Sequence, residues 1–363
     1  MLMGSRSPAS PPKLLCSNAP AIGSMTEPTT PTRRRRLFSG MQPTGEAHLG
    51  NYLGALHRWV ELQERFDCLW CIVDDHAITA GGDPKDLPKK VVDLAVSFLA
   101  VGLDPEKAIL FVQSDVSEHT ELAWLFNAVT PVGDLERMTQ YKDKAQRFES
   151  VPVGILNYPV LQAADILLYR ADAVPVGEDQ RQHLELTREI ARKWNAGYGD
   201  FFPEPEAIIG EEGRILGLDG NAKMSKSLGN TVDIMAEPDE VWARVRTAVT
   251  DPQRLRKSDP GRPELCNVYS LHRHFSSPDV VEDVAHQCRG ALRGCVECKH
   301  ILSDSIVTTF APMRERAAEL RAQPERIREI LDDGAARARV LARETMAVVR
   351  QRMGLDWRRG WTR

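Results

Sequence analysis

The chain predicts an α/β fold: a doubly wound parallel sheet followed by an all-helical C-terminal domain. Short apolar runs alternate with helix-period segments through the first two thirds of its 363 residues, and buried strands separated by helices imply a parallel sheet covered on both faces. Strand signals stop near residue 232, after which apolar residues recur only at helical spacing. The polar, glycine-containing stretches directly follow strands, and open parallel sheets bind ligands at the carboxyl ends of their strands.

In chain order, strands are predicted at 37–40, 68–73, 108–113 and 173–176. Helices are predicted at 49–63, with apolar Leu49, Leu53, Leu56, Trp59 and Val60, then at 89–101 and 182–195. Residues 158–169 read as an apolar helix that encloses one carboxylate, Asp165. Beyond 233, Val241, Val245 and Val249 make one stripe, Ile301, Ser305, Val307 and Phe310 lie near a second, and Ile327, Ile330 and Leu331 begin a third. The expected domains are a disordered tail at 1–35, an α/β domain at 36–220, a loop at 221–232, a helical region at 233–355 and a basic tail at 356–363. The first tail is rich in Pro, Ser and Thr, has one acidic residue, Glu27, and ends in four arginines, 33–36. Disorder fits that composition; an Arg- and Ser-rich organellar transit peptide is the alternative, and Met25 is a second candidate initiator.

With 42% hydrophobic residues the chain can bury a sizeable core, and its net charge of -4 excludes a generally basic nucleic-acid coat. No apolar run approaches the roughly 18 residues of a membrane span, so no membrane and a cytoplasmic location are expected. Seven cysteines are too few and too unevenly placed for a secreted disulfide scaffold. Cys68 and Cys71 lie in an apolar strand whose alternate faces separate them, as core residues. Cys266, Cys288, Cys295 and Cys298 are spaced C-x21-C-x6-C-x2-C. Four thiolates suit an iron–sulfur cluster or zinc, with helix packing as the plain alternative. His272, His274 and His300 are expected to be exposed or capping rather than ligands. Arg254, Arg256, Lys257, Arg337, Arg339, Arg343, Arg350 and Arg352 are either solvated helix faces or phosphate contacts.

Two stretches carry chemistry. Residues 38–52 run from a strand end through a Gly/Pro loop into a helix opening at His48-Leu49-Gly50-Asn51. Orphan backbone donors and the helix dipole make such an opening an anion site. Far downstream, Lys223-Met224-Ser225-Lys226-Ser227, flanked by Gly220-Asn221 and Gly229-Asn230, supplies two lysines on a flexible loop. Asp165 is costly within an apolar helix unless it meets a donor.

The two stretches resemble the HIGH and KMSKS signatures of class I aminoacyl-tRNA synthetases, the second letter for letter. Residues 73–79 and Gly177-Glu178-Asp179-Gln180, with His183 and Glu185, resemble the tryptophan branch. The resemblance runs from about residue 36 to about 355. It implies a Rossmann-like catalytic domain and a helical anticodon-binding region in a Mg²⁺-dependent homodimer. The implied reaction joins L-tryptophan and ATP to give Trp-AMP and pyrophosphate, then passes tryptophan to tRNA(Trp).

By the same resemblance Gln42, Pro43 and Thr44 line the adenosine and phosphate side. Gly50 leaves room for adenine, and Asn51 offers an amide at the rim. His48 donates to a phosphate oxygen, and Lys223 and Lys226 clamp pyrophosphate with the hydroxyls of Ser225 and Ser227. Met224 and Ile215 belong to the ATP set, and Lys144 is a phosphate- or magnesium-linked lysine or an exposed helix charge. Gly177, Glu178 and Asp179 face the ribose hydroxyls, and Gln180 and Tyr158 the substrate's ammonium. His76 lies near the substrate's carboxylate. Phe38, Gly40, Val73 and Val176 shape an indole slot, in which Asp165 receives the ring N–H. Gln162 departs from the Met of some members; because the tyrosine branch also uses a Tyr, Gln and Asp arrangement, this opens a tyrosine alternative. The cysteine spacing resembles that of a subset with a [4Fe–4S] cluster, zinc being the other option. A synthetase-like tryptophan sensor that charges no tRNA is the rival of another class.

Overall fold

The structure, a computed structural model, describes residues 34–146, 148–177, 180–210 and 215–357. Residues 1–33, the carboxylates Glu178 and Asp179, and 358–363 therefore lie outside the described residues.

Five parallel strands form one sheet in the order β3-β2-β1-β4-β5: β1 Arg36–Met41, β2 Asp67–Ile72, β3 Ala108–Val112, β4 Ala173–Val176 and β5 Glu206–Ile209. Four were expected. β5 is a four-residue edge strand with the burial pattern exposed, half-buried, half-buried, exposed, too short for a periodic signal. The chain starts at the centre, builds outward through β2 and β3, and returns to β1's other side as β4. Leu37 is in register with both Cys68 and Ala173. The order thus reverses beside β1, and the crevice at its carboxyl end is where a doubly wound sheet takes ligands.

Helix α1 covers residues 49–62. Its middle, Tyr52–Leu56, is a wide turn in which the His57 N–H bonds to the Tyr52 carbonyl. The other long α/β helices are α2 Leu87–Val101, α3 Glu118–Asn127, α4 Val153–Leu168 and α5 Arg181–Tyr198, with short ones at Asp74–Ala77, Val132–Glu136 and Thr139–Ala145. The helical region follows as α6 Pro238–Val245, α7 Asn267–Phe275, α8 Pro278–Arg289, α9 Cys295–Arg321 and α10 Pro324–Arg352.

Strand alternation sorts the core into two layers. Leu37, Cys68, Trp70 and Ile72 face α1, α2 and α9, where Trp59 stacks on Trp70 at 4.6 Å. Phe38, Leu69, Cys71 and Phe111 face α3, α4, α5 and α10. Cys68 and Cys71 are buried in opposite layers, as the strand period requires.

The described residues from Arg34 onward cluster as one compact unit. Helix α10 lies along the edge strand β3 and buries Ala335, Ala338, Ala342 and Met346, which covers an edge otherwise open to pairing. A Cβ on Gly334 would stand 1.7 Å from the Leu110 carbonyl oxygen; only glycine permits this approach. The α10 arginines, read as either a solvated face or phosphate contacts, also bond to the body of the protein. Arg337 donates to the Pro105 carbonyl at 2.9 Å, Arg339 to that of Asp115, and Arg352 to that of Gly199 at 2.7 Å. Arg343 pairs with Glu118, and Arg350 with Glu121. These guanidiniums fasten α10 to the body because it meets strand ends and loops rich in unpaired carbonyls.

Candidate active site

The phosphate side is built where β1 ends. His48 caps α1: its Nδ1 accepts from the Asn51 N–H at 3.2 Å, while the Asn51 side-chain oxygen accepts from the His48 N–H at 3.1 Å. Asn51 is thereby a capping partner through its side-chain oxygen. An accepting Nδ1 leaves the proton on Nε2. Burial first, then the ammonium groups of Lys226 and Lys223, lower the His48 pKa to about 4, so the ring is a neutral donor at pH 7.

The lysine loop is tied to this corner through backbone. Leu49 N–H donates to the Val232 carbonyl at 2.9 Å, and Ile234 N–H to that of Ala47 at 3.0 Å. Lys226 Nζ lies 3.2 Å from the point where a Gly45 Cβ would sit, and 3.5 Å from Asp233 Oδ1. Gly45 has φ +102°, which favours glycine. Ser225 and Ser227 share a hydroxyl contact of 2.9 Å, and the Ile215 carbonyl accepts from the Met224 N–H at 3.3 Å. Buried Met224 covers Gly50, where an added Cβ would meet Met224 Cβ at 2.9 Å and the His48 ring at 3.1 Å. The small residue is thus required by loop docking, not only by a base. Pro43 is buried, Gln42 is half-buried, and exposed Thr44 joins Gly45, Lys89, Lys90, Lys226 and Asp233 in lining a cleft of about 310 Å³.

Sequence reasoning missed Lys89 and Lys90, which read only as the start of a helix. It also quoted Asn230 as a mere flank. That side chain is 4% exposed and organises the loop: its oxygen accepts from the Ser225 N–H at 2.8 Å, and its nitrogen donates to Asp219 at 3.0 Å and to the Lys223 carbonyl at 3.3 Å.

The second half of the site surrounds Asp165 on α4, 2% exposed. Its carboxylate does not wait unpartnered, as the sequence implied. Oδ1 lies 2.7 Å from His119 Nδ1 and 2.6 Å from Gln113 Nε2, and Oδ2 lies 2.8 Å from His76 Nε2. Burial alone would raise its pKa; hydrogen bonding from His119 and the charge and hydrogen bond of His76 outweigh it and bring the value down to about 2. The group is therefore an anion that only accepts. His76 follows β2, Gln113 follows β3 and His119 lies in the first turn of α3, so two strand ends and a helix start converge on one carboxylate. Gln113 and His119 carried no local signal, since their partner is more than forty residues away.

Phe38 stacks on Tyr169 at 5.6 Å. A Cβ on Gly40 would stand 2.6 Å from Val73 Cγ1, which brings the expected slot residues Phe38, Gly40 and Val73 to one face of the sheet. Val176 is half-buried at the end of β4. Tyr158 Oη lies 2.9 Å from His183 Nε2, and burial pushes its pKa up to about 12. Lys144 sits with Nζ 3.9 Å from the Tyr158 ring centroid. Gln162 donates to Gln180 at 3.4 Å, and the Gln180 N–H bonds to the Gly177 carbonyl at 3.0 Å.

The four cysteines come from the cap of α7 (Cys266), the end of α8 (Cys288) and the first turn of α9 (Cys295, Cys298). Burial, then the neighbouring thiols of Cys266, Cys288 and Cys295, push the Cys298 thiol up to about 12. Among the described residues, no group of three or more His, Cys, Asp or Glu side chains is disposed to hold a metal ion. Two expectations are corrected. His272 is fully buried, 3.5 Å from Cys298 Sγ and 2.8 Å from Ser276 Oγ, not exposed. Arg254 lies 3.5 Å from Cys288 Sγ and donates to the Arg293 carbonyl at 2.7 Å, bracing this corner instead of pointing at phosphate. A larger cavity, about 830 Å³, lies between α7 and α8, lined by Tyr269, Arg273, His286 and Arg289 among others, well outside the chemistry around Lys226.

Known proteins fit this geometry. The chain is 53% identical over 324 residues to the tryptophan–tRNA ligase of Deinococcus radiodurans, covering 88% of this chain and 98% of that protein. It is 38% identical over 394 aligned positions to the enzyme of that name from Aquifex aeolicus, covering 88% and 100%. The solved tryptophanyl-tRNA synthetase of Campylobacter jejuni, complexed with ADP and tryptophan, superposes with a TM-score of 0.80 at 38% identity, covering 88% of this chain and 99% of that one. The family described as class I tRNA synthetases (W and Y) matches residues 30–311, and with both signatures joined in one cleft this chain belongs to it.

Proposed function

We propose that the protein is a tryptophan–tRNA ligase, which activates L-tryptophan with ATP and transfers it to tRNA(Trp). The observation that carries this reading is the Lys226 ammonium held over Gly45 beside a neutral, donating His48. In activation the tryptophan carboxylate attacks the α-phosphorus and pyrophosphate leaves. Charge builds on the phosphoryl oxygens and the leaving group, and preorganised donors there lower the barrier. His48 Nε2–H, Lys223 and Lys226 supply them, with the Ser225 and Ser227 hydroxyls. Mg²⁺ enters on the triphosphate, which suits an ion that prefers phosphate and water to an all-protein cage. The terminal adenosine hydroxyl of tRNA then takes the acyl group and AMP departs.

Tryptophan is favoured by Asp165, whose Oδ2 has one lone pair left after its bond to His76, and by the tryptophan held in the Campylobacter jejuni neighbour. Lys226→Ala lowers ATP–pyrophosphate exchange by about two decades or more while tryptophan binding stays nearly intact; near-normal exchange would remove the loop's role. Aminoacylation with labelled tryptophan separates a ligase from a sensor that makes Trp-AMP only.

The tRNA contact is assigned to the helical region, where Tyr269 and Arg273 offer a stacking and a phosphate-directed group. A homodimer is supported by exposed Trp124, Val132 and Val153, at 75%, 58% and 76%, on α3, on the short helix Val132–Glu136 and on α4, against which the other two pack. No helix among the described residues is long and apolar enough to cross a membrane, and the cytoplasm is the compartment assigned. The four thiols, with Arg254 and Arg293 beside them, have the soft donors of a [4Fe–4S] or zinc site, and a bound group would brace α7, α8 and α9. A broad visible absorption with iron in anaerobically purified protein identifies the cluster; colourless protein with zinc identifies the alternative.

A further inference from the structure

Behind Asp165 lies a chain of groups that the reaction above does not use. His119 is fully buried, with Nδ1 2.7 Å from Asp165 Oδ1 and Nε2 2.7 Å from Tyr169 Oη. Tyr169 is also fully buried, between Phe38, stacked on it at 5.6 Å, and Phe111, edge-on at 5.7 Å. The directions of these bonds follow from chemistry. An ionised carboxylate only accepts, so His119 Nδ1 carries a proton; with that single ring proton Nε2 is left to accept, and the Tyr169 hydroxyl donates to it.

Each carboxylate oxygen has two lone pairs. His119 and Gln113 fill both on Oδ1, and His76 fills one on Oδ2. One acceptor direction remains. We propose that His119 and Tyr169 are positioning residues that fix the Asp165 carboxylate, through an imidazole held at both ring nitrogens, so that its single free direction selects the ring N–H of tryptophan. This rests on the reading that Asp165 receives that N–H. The aromatic clamp on Tyr169 fits such a role: Phe38, the expected indole-slot residue, stacks on the phenol that holds the far side of the ring.

Tyr169→Phe tests this, because it keeps the stack and removes only the hydroxyl. Without that donor the buried His119 Nε2 is left unpaired, the ring loses its second anchor, and the carboxylate loses its fixed aim. The measured quantity is the ratio of kcat/KM in ATP–pyrophosphate exchange for tryptophan over 3-(benzothiophen-3-yl)alanine, whose sulfur replaces the N–H. The wild type favours tryptophan strongly, and Tyr169→Phe cuts the ratio by about tenfold, as expected for one misdirected charge-assisted hydrogen bond. His119→Asn, which keeps a donor near Oδ1 but breaks the link to Tyr169, cuts it likewise. A purely structural role lowers both substrates together and leaves the ratio unchanged. A high wild-type ratio that survives both substitutions overturns the relay alone; a wild-type ratio near one overturns the indole reading beneath it.

Discussion

Removing the Asn230 side chain should disable the lysine loop without unfolding the protein. Asn230→Ala deletes three hydrogen bonds, to the Ser225 N–H at 2.8 Å, to Asp219 at 3.0 Å and to the Lys223 carbonyl at 3.3 Å. Two of them anchor the backbone that carries Lys223 and Lys226. Each is worth about 1 kcal/mol net, and a buried N–H left unpaired adds a comparable cost, so the closed loop loses roughly 3 kcal/mol. If closure is needed only as charge develops, kcat/KM for exchange falls about 100-fold. Gly217→Ala should produce the same defect from another position, because its Cβ would lie 2.1 Å from the Asn230 side-chain nitrogen. Tryptophan affinity, measured by calorimetry, should stay within a few-fold for both. Exchange within threefold of wild type in both variants would refute the assignment of Asn230 as the loop's anchor.

Gly334→Ala forces α10 off the Leu110 carbonyl and should lower stability by about 1–3 kcal/mol, seen as a fall in Tm; Gly54→Ala, with nothing within 4 Å of the new methyl, should instead raise it by about 0.5–1 kcal/mol through helix propensity. The His48 pKa, lowered to about 4 from 6.5, makes the fold favour the neutral ring. Below pH 6.5 the unfolded chain binds a proton the folded one refuses, so stability present above that pH is lost as pH falls toward 4. Between pH 7 and 5 the wild type should lose about 2 kcal/mol more than His48→Gln in denaturant titrations; equal losses would show that His48 protonates freely.

The sequence made the doubly wound sheet and the two nucleotide motifs legible because both depend on local patterns. Apolar runs of four or more residues marked β1 to β4, and His48-Leu49-Gly50-Asn51 and the lysine pentapeptide announced themselves by type and spacing. What it concealed was pairing across the chain. Gln113 and His119 acquire meaning only when α4 brings Asp165 to the ends of β2 and β3. The α10 arginines looked like an outward charge run, yet a helix docked on an edge strand turns the same guanidiniums toward carbonyls. Gly334 gave no warning either, since close approach is a property of two elements and not of one.

Parallel ATP–pyrophosphate exchange with L-tryptophan and L-tyrosine, on one preparation at equal concentrations, tests the amino-acid assignment most directly. A buried acceptor aimed at an indole N–H predicts exchange with tryptophan faster by on the order of 10³ or more. Comparable rates with tyrosine, or exchange with neither, would contradict it.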